Sequence, residues 1–493
     1  MKAMDLVEAL GKLDEKQLRS VTVFTRRAPT WRVAMKKTTK FALSAAAVVL
    51  VLGFIFTAWW LQSNYGVTPG AAPQKEPLRI CLDIGTALDG DLGGSLQESS
   101  GRGLLESLDL LALEHKDLDW GDVQLEVIPS TPERADERAS MLQRIRTEIL
   151  SGGGPDVFIC ATENEGEDYL GGRLFPFVRK AMEEELFLPL EQLNLALPKE
   201  LVPQLLEGGR DTGGDQVLIP LSFSVPCLVT RAEFGSEGLD LGMEFSAWFW
   251  PRGTFAREDL RKGDHPSSLP YWYSQLEDTE NDMLCLTEQE LTDLVLNALA
   301  QYLMLVAQEP SQRVWSIFPG RSLGTFSDTL ALNSPSYAFF PVPNETGGVT
   351  AVVSTFCAVN RHTTHPAQAA LVMEYLVSEK CQSKSNLFQG LDHFGSASMF
   401  VNRQGNLYQP GPLTATSLEN WDEVCGKIDS VQYPSPINSL VDDMLREIET
   451  VLRESYDHSA RLDEFVKGEV NEGDIREIVH RYYGKMEKAL GES

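Results

Sequence analysis

Three short stretches have residue types and spacings that could do chemistry unaided. Gly320-Arg321-Ser322-Leu323-Gly324 has the GxSxG spacing of a nucleophile elbow, in which a serine is held on a sharp strand-to-helix turn. The stretch that follows, TFSDTLALNSPS, has no helical periodicity, so a hydrolase is not expected. A turn that leaves Arg321 or Ser322 available to a ligand is the better reading. His362 and His365 stand three apart, with Glu374 beyond them. A zinc site on a helix needs a glutamate beside the first histidine, and here Arg361 and Thr363 flank it while Pro366 follows His365. These read as surface turn residues, and no metal is expected. Gly152-Gly153-Gly154 lacks the Lys-Ser/Thr of a phosphate-binding loop, and no dinucleotide fingerprint occurs, so no cofactor is expected.

Binding chemistry has more candidates. Asp83, Glu163 and Glu165 could accept hydrogen bonds from hydroxyl or ammonium groups, although each also reads as a solvated loop charge. Trp248, Trp250, Trp272 and Tyr273 fall in an irregular stretch rich in Pro and Gly. There they read either as the packing of an inserted loop or as rings that stack on a ligand.

The elements that must position these residues alternate in type. LRICLDIG (78–85), VQLEVIP (123–129) and DVFICA (156–161) read as strands, and 103–115 and 133–151 read as helices. This is β-α-β-α-β with nearly continuous apolar strands, which predicts a parallel sheet buried on both faces. Leu142, Ile145, Ile149 and Leu150 form the apolar stripe of the second helix. Gly152 ends that helix, and Gly153, Gly154 and Pro155 turn the chain into the third strand. In open α/β sheets the ligand crevice lies beyond the carboxyl ends of the strands. That topology places Thr162, Glu163 and Asn164 at a crevice, and Thr86 and Asp89 after the first strand.

Charge divides the 493-residue chain. The net charge is -28, yet residues 1–40 carry ten Lys/Arg against four Asp/Glu, a net of +6, so the rest carries -34. An acidic body argues against nucleic-acid binding, which needs clustered Lys/Arg. Between the two parts, FALSAAAVVLVLGFIFTAWWL (41–61) is uncharged and long enough for an apolar helix to span about 30 Å of hydrocarbon. The basic residues before it predict a cytoplasmic N-terminus and an external remainder. The expected organisation is a cytoplasmic segment (1–40), a transmembrane helix (41–62), a Gly/Pro/Ala linker (63–77) and an extracellular domain (78–493). Residues 5–21 read as a short amphipathic helix. Seven cysteines, an odd number without a CxxC pair, read as small buried hydrophobes rather than a disulfide scaffold.

RIRTEILSGGGPDVFIC (144–160) resembles a segment of extracellular solute-binding proteins of family 1, the carbohydrate type. DQVLIPLSFSVPCLVTR (215–231), STFCAVNRHTTHPAQAALVMEYLVSEKCQ (354–382) and FVKGEVNEGDIREIVHRYYGKME (465–487) resemble further segments of that family in the same order. The resemblance implies an α/β, two-lobed periplasmic-binding-protein-like type II fold carried on the N-terminal transmembrane helix. Lobe one would take about 78–222 and 352–408, and lobe two about 226–350 and 410–493. Ser222, Phe223 and Ser224 would sit at the hinge and face the cleft. Two departures stand out: Leu218 replaces the usual Tyr before Ile-Pro, and 246–290 do not follow the family's helical pattern.

The function implied is capture of a small polar solute, a sugar first, by lobe closure and without chemistry, for the permease of an ATP-driven (ABC) importer. The ligand-facing set is Asp83, Thr86, Asp89, Thr162, Glu163, Asn164, Ser222, Ser224, Trp248, Trp272, Arg321 and Ser322. The alternative is a transmembrane sensor. The forty-residue head resembles the short N-terminal helices of clostridial membrane-bound anti-sigma proteins, and would dock a cytoplasmic regulatory protein such as a sigma factor.

Overall fold

A computed structural model describes residues 76–84, 93–118, 120, 122–129, 132–162, 172–231, 273–306, 316–320, 337–341, 343–384, 399–402, 415–455 and 472–492. The chain divides into two compact units, Met1–Lys75 and Glu76–Ser493, and every described residue belongs to the second. The expected span at 41–61 and the cytoplasmic segment lie outside the described residues. Among the described residues, no helix is long and apolar enough to cross a membrane.

The first part follows the expected alternation: β1 (Leu78–Asp83), α1 (Gly93–Glu114), β2 (Val123–Val127), α2 (Ala135–Leu150) and β3 (Val157–Ala161). β1 lies between β2 and β3 and pairs parallel with both. β3 is buried at every position and β1 at all but Arg79, but β2 at the sheet edge is buried only at Glu126, and β3 pairs antiparallel with β9, so the sheet is mixed rather than wholly parallel and covered. α1 starts ten residues before the expected position, because its opening GGSLQESSGRG carries too few apolar residues to announce a helix. α2 buries Leu142, Ile145 and Ile149, while Leu150 is exposed. One residue past Ile149, Leu150 points about 100° off the stripe.

The turn after α2 uses glycine twice where φ is positive, at Gly152 (81°) and Gly154 (100°). The buried Asn360 completes it from another strand, donating its amide to the carbonyls of Gly153 (2.8 Å) and Pro155 (2.9 Å). Nothing local in the sequence signals that partner.

Downstream come α3 (Val178–Glu183), α4 (Pro203–Glu207), β4 (Leu218–Arg231), the hairpin β5 (Glu277–Asp278) and β6 (Met283–Leu284), and α5 (Glu288–Val306). β7 (Ser316–Gly320), β8 (Tyr337–Pro341), β9 (Val349–Val359), α6 (Pro366–Leu376), α7 (Glu379–Lys384) and β10 (Met399–Phe400) follow. The chain closes with α8 (Ala415–Gly426), β11 (Ile428–Gln432), α9 (Pro436–Ser455) and α10 (Glu472–Gly491). The strand order is β10-β4-β9-β3-β1-β2, with β11 on β9 and with β7 and β8 on β4.

β4 changes partners midway. Leu218–Ser224 pairs antiparallel with β9, and Ser222–Phe223 with β10. Val225–Val229 pairs with β7, and Cys227–Arg231 with β8. The register against β9 shifts between Pro220 and Phe223, where proline has no N–H to give the ladder. β9, buried along its whole length, brings the chain back.

Two hydrophobic clusters result. The larger surrounds β1, β3, β4 and β9, with Phe158, Phe175, Phe187, Phe356 and Tyr433 in edge-on or tilted ring contacts. The smaller is helical and joins Leu291 and Val295 of α5, Ile437 to Ile448 of α9 and Ile475 to Leu490 of α10. Trp421, Val424, Ile428 and Val431 belong to the larger cluster, because β11 pairs parallel with the start of β9. After β11 the chain re-enters the second core at Ile437.

Cys81, Cys160, Cys357, Cys381 and Cys425 are buried, and burial pushes the thiols of Cys81, Cys160 and Cys357 well up. Cys285 is exposed, unlike the expected buried set.

Two glycine substitutions test this packing with opposite signs. A Cβ at Gly209 would lie 2.2 Å from the Leu218 carbonyl oxygen, so Gly209→Ala should cost about 1–3 kcal/mol in chemical denaturation. Gly484 is exposed inside α10 with nothing within 4 Å of such a Cβ, so Gly484→Ala should add about 0.5–1 kcal/mol.

Candidate functional site

The described members of the expected ligand set lie at strand ends and at the change of partners in β4. Asp83 ends β1 and is 0% exposed. Its Oδ1 accepts from Arg138 Nη2 (2.9 Å), and Arg173 Nη1 lies 3.8 Å away. Its Oδ2 accepts from the Leu174 backbone N–H (2.9 Å). Arg138 also donates to the carbonyls of Pro129 (2.9 Å) and Gly172 (2.6 Å). Arg146 donates to the carbonyls of Leu174 (3.1 Å) and Arg173. Burial pushes the Arg146 guanidinium down, Asp83 draws it partly back, and Arg138 pushes it down again. Asp83 is thus the buried counter-ion that fastens residues 172–174 to the end of β1. Both its oxygens are engaged by the chain itself.

Thr162 follows β3 and is buried. Its N–H donates to the Ser354 carbonyl (2.9 Å) and its hydroxyl to the carbonyls of Val353 and Ser354. Ser222 is buried, with its hydroxyl 2.6 Å from that of Thr355 across the β4–β9 ladder. Ser224 is buried on the same strand. These three polar side chains line the crossing strands from within rather than an open surface. Thr86, Asp89, Glu163, Asn164, Trp248, Trp272, Arg321 and Ser322 lie outside the described residues, as do Glu165 and Trp250.

Tyr273, expected among the loop aromatics, packs beside the second core, and burial raises its phenol. Its carbonyl accepts from Thr350 Oγ1 (3.0 Å) and from Gln432 Nε2. The Ser274 carbonyl accepts from Ser430 Oγ, and the Ser274 N–H donates to the Glu345 carboxylate (2.8 Å). Asn344 donates to Asp429 Oδ1 (3.0 Å), and Thr346 Oγ1 donates to Asp429 Oδ2 (3.1 Å). Segment 273–274, loop 344–348 and β11 are therefore stitched together where β9 begins. Sequence reasoning missed this joint because its members are 70 to 160 residues apart.

His365, expected as a surface turn residue, is 14% exposed in its side chain and precedes α6. Its Nδ1 lies 3.2 Å from Asp156 Oδ1 and its Nε2 lies 3.0 Å from the Glu76 carbonyl oxygen. Among the described residues, no group of three or more His, Cys, Asp or Glu could hold a metal ion.

Removing the Asp83 carboxylate strands a buried guanidinium, which costs about 3–5 kcal/mol when one partner of such a pair is lost. Asp83→Ala should therefore unfold at markedly lower denaturant. Stability equal to the parent's would show that Asp83 does not hold this corner.

No family model and no curated protein matches the sequence. Among solved structures, the chain is similar to an extracellular solute-binding protein family 1 from Alicyclobacillus acidocaldarius subsp. acidocaldarius DSM 446, at 13% identity over 84% of this chain and 99% of that one, TM-score 0.49. It is also similar to a periplasmic oligogalacturonide binding protein from Yersinia enterocolitica, solved with saturated digalacturonic acid, at 13% identity over 84% and 99%, TM-score 0.44. A de novo designed esterase is similar as well, at 14% identity over 83% and 99%, TM-score 0.41. Because such likenesses include binding proteins and a designed esterase, they do not separate binding from catalysis.

Proposed function

We propose that residues 78–493 form a two-lobed solute-binding domain that captures a small polar solute, a carbohydrate first, without converting it. The observation that carries this reading is β4. One strand serves two sets of strands, β9 and β10 along its first half and β7 and β8 along its second, and β9 returns beside it. A joint of this kind permits one body to rotate on the other and close on a ligand. Thr86, Asp89, Glu163 and Asn164 follow the carboxyl ends of β1 and β3 in sequence and are the first candidates for ligand contacts. Trp248, Trp272, Arg321 and Ser322 are candidates from the other lobe. Asp83, Thr162, Ser222 and Ser224 are the buried members of the same candidate set.

In this reading the chain is anchored by 41–61 with the domain outside, and hands solute to ABC permease subunits. The basic segment 1–40 supports a second role, in which solute capture is signalled to a cytoplasmic regulatory protein.

Thermal unfolding of the full chain against mono- and oligosaccharides, amino acids and peptides tests the proposal. A ligand at 100 times its dissociation constant adds about 2.7 kcal/mol, which for a domain this large is a rise of a few degrees. A rise with one sugar class is expected. No rise with any sugar, or turnover of one, would contradict it.

A further inference from the structure

The β5–β6 hairpin is clipped across the two cores. Leu276, Leu284 and Leu286 pack in or against the helical core. The hairpin's polar side chains reach the other way, to α3, whose Val178, Ala181 and Met182 belong to the larger core. Lys180 Nζ lies 3.1 Å from Asp282 Oδ1, and Thr279 Oγ1 donates to Glu183 Oε1 (2.6 Å). On the other side, Ser435 Oγ donates to Glu277 Oε2 (2.7 Å) at the turn where the chain leaves β11 for α9. The hairpin thus touches α3 and the 433–436 turn at once.

The charges around this contact do not balance. From α3, Arg179 and Glu183 both face Glu277. Arg179 is shared, since it donates to the Val431 carbonyl (2.8 Å) and lies over the Tyr433 ring (5.1 Å). Ser435 faces Glu277 from the turn, and from the β6 side the Cys285 thiol is affected by Glu277, Asp278 and Glu345. Docking the hairpin therefore partly buries the Glu277 carboxylate where a second, Glu183, and one shared guanidinium, Arg179, both act on it.

We propose that this hairpin is a pH-sensitive strap between the two cores, with Glu277 as its pin: docked while the Glu277 carboxyl holds its proton, and loosened when it ionises. This goes beyond solute capture and holds whatever the cleft binds. Burial pushes the Glu277 carboxyl up to about 7 against Ser435 and Arg179, with Glu183 pushing the same way. A raised carboxyl favours the docked form fully below the ordinary 4.5, and that advantage is lost as pH rises through about 7.

Hydrogen exchange of the full chain, corrected for intrinsic rates, reads the strap directly. The Cys285 N–H, which donates to the Leu276 carbonyl (2.9 Å), is one amide that docking protects. Between pH 5.5 and 8 the protection of 276–286 should fall about 25-fold, while β1 and β3 keep theirs. In Glu277→Gln, which cannot ionise, that fall should vanish. Should that variant not fold, Glu183→Gln serves instead, because removing the neighbouring charge should make the fall smaller. Equal protection of the parent hairpin at both pH values, or an undiminished fall in the variant, would overturn the proposal.

Discussion

The rest of the structure depends on the shared backbone of β4. A strand's backbone N–H and C=O groups need hydrogen-bond partners, so a long strand that leaves one set of neighbours needs another. β4 meets this by giving Leu218–Ser224 to β9 and β10, and Val225–Arg231 to β7 and β8. The cost falls at the change-over, where the ladder slips between Pro220 and Phe223. Side-chain hydroxyls at Ser222 and Thr355 fill the gap with a bond of their own.

The two hydrophobic cores differ in what holds them. The larger is a sheet with interlocking aromatic rings, and buried polar pairs tie its corners, Asp83 with Arg138 and Asn360 with the glycine turn. The smaller is three helices with aliphatic seams. Between them runs the polar stitching of Tyr273, Ser274, Asn344, Asp429 and Gln432, made mainly of hydrogen bonds rather than buried apolar area. Such contacts are worth about 1 kcal/mol each.

The sequence announced the part of this that is local. Apolar runs fixed β1, β2 and β3, three-and-four spacing fixed α2, and the glycine-proline turn between α2 and β3 declared itself. The crossing at 218–231 was visible through resemblance, not through periodicity. What stayed hidden depended on partners distant in the chain. Asp83 looks like a crevice carboxylate until Arg138, 55 residues on, is seen to occupy it. His365 looks exposed until Glu76 and Asp156 close on its two nitrogens. Leu150 failed for the opposite reason, since a local stripe was read one residue too far.

The central proposal is that the body around the sheet core and the body around the helical core move relative to one another. The most direct measurement is the distance between spin labels at Gln143→Cys on α2 and Glu487→Cys on α10, both exposed positions, in a Cys285→Ser background. The full chain would be measured alone and with saturating oligosaccharides. A hinged pair should show a broad distribution that narrows and shifts by several ångströms with a bound sugar. One sharp distance, unchanged under every condition, would mean that the cores form a single rigid body.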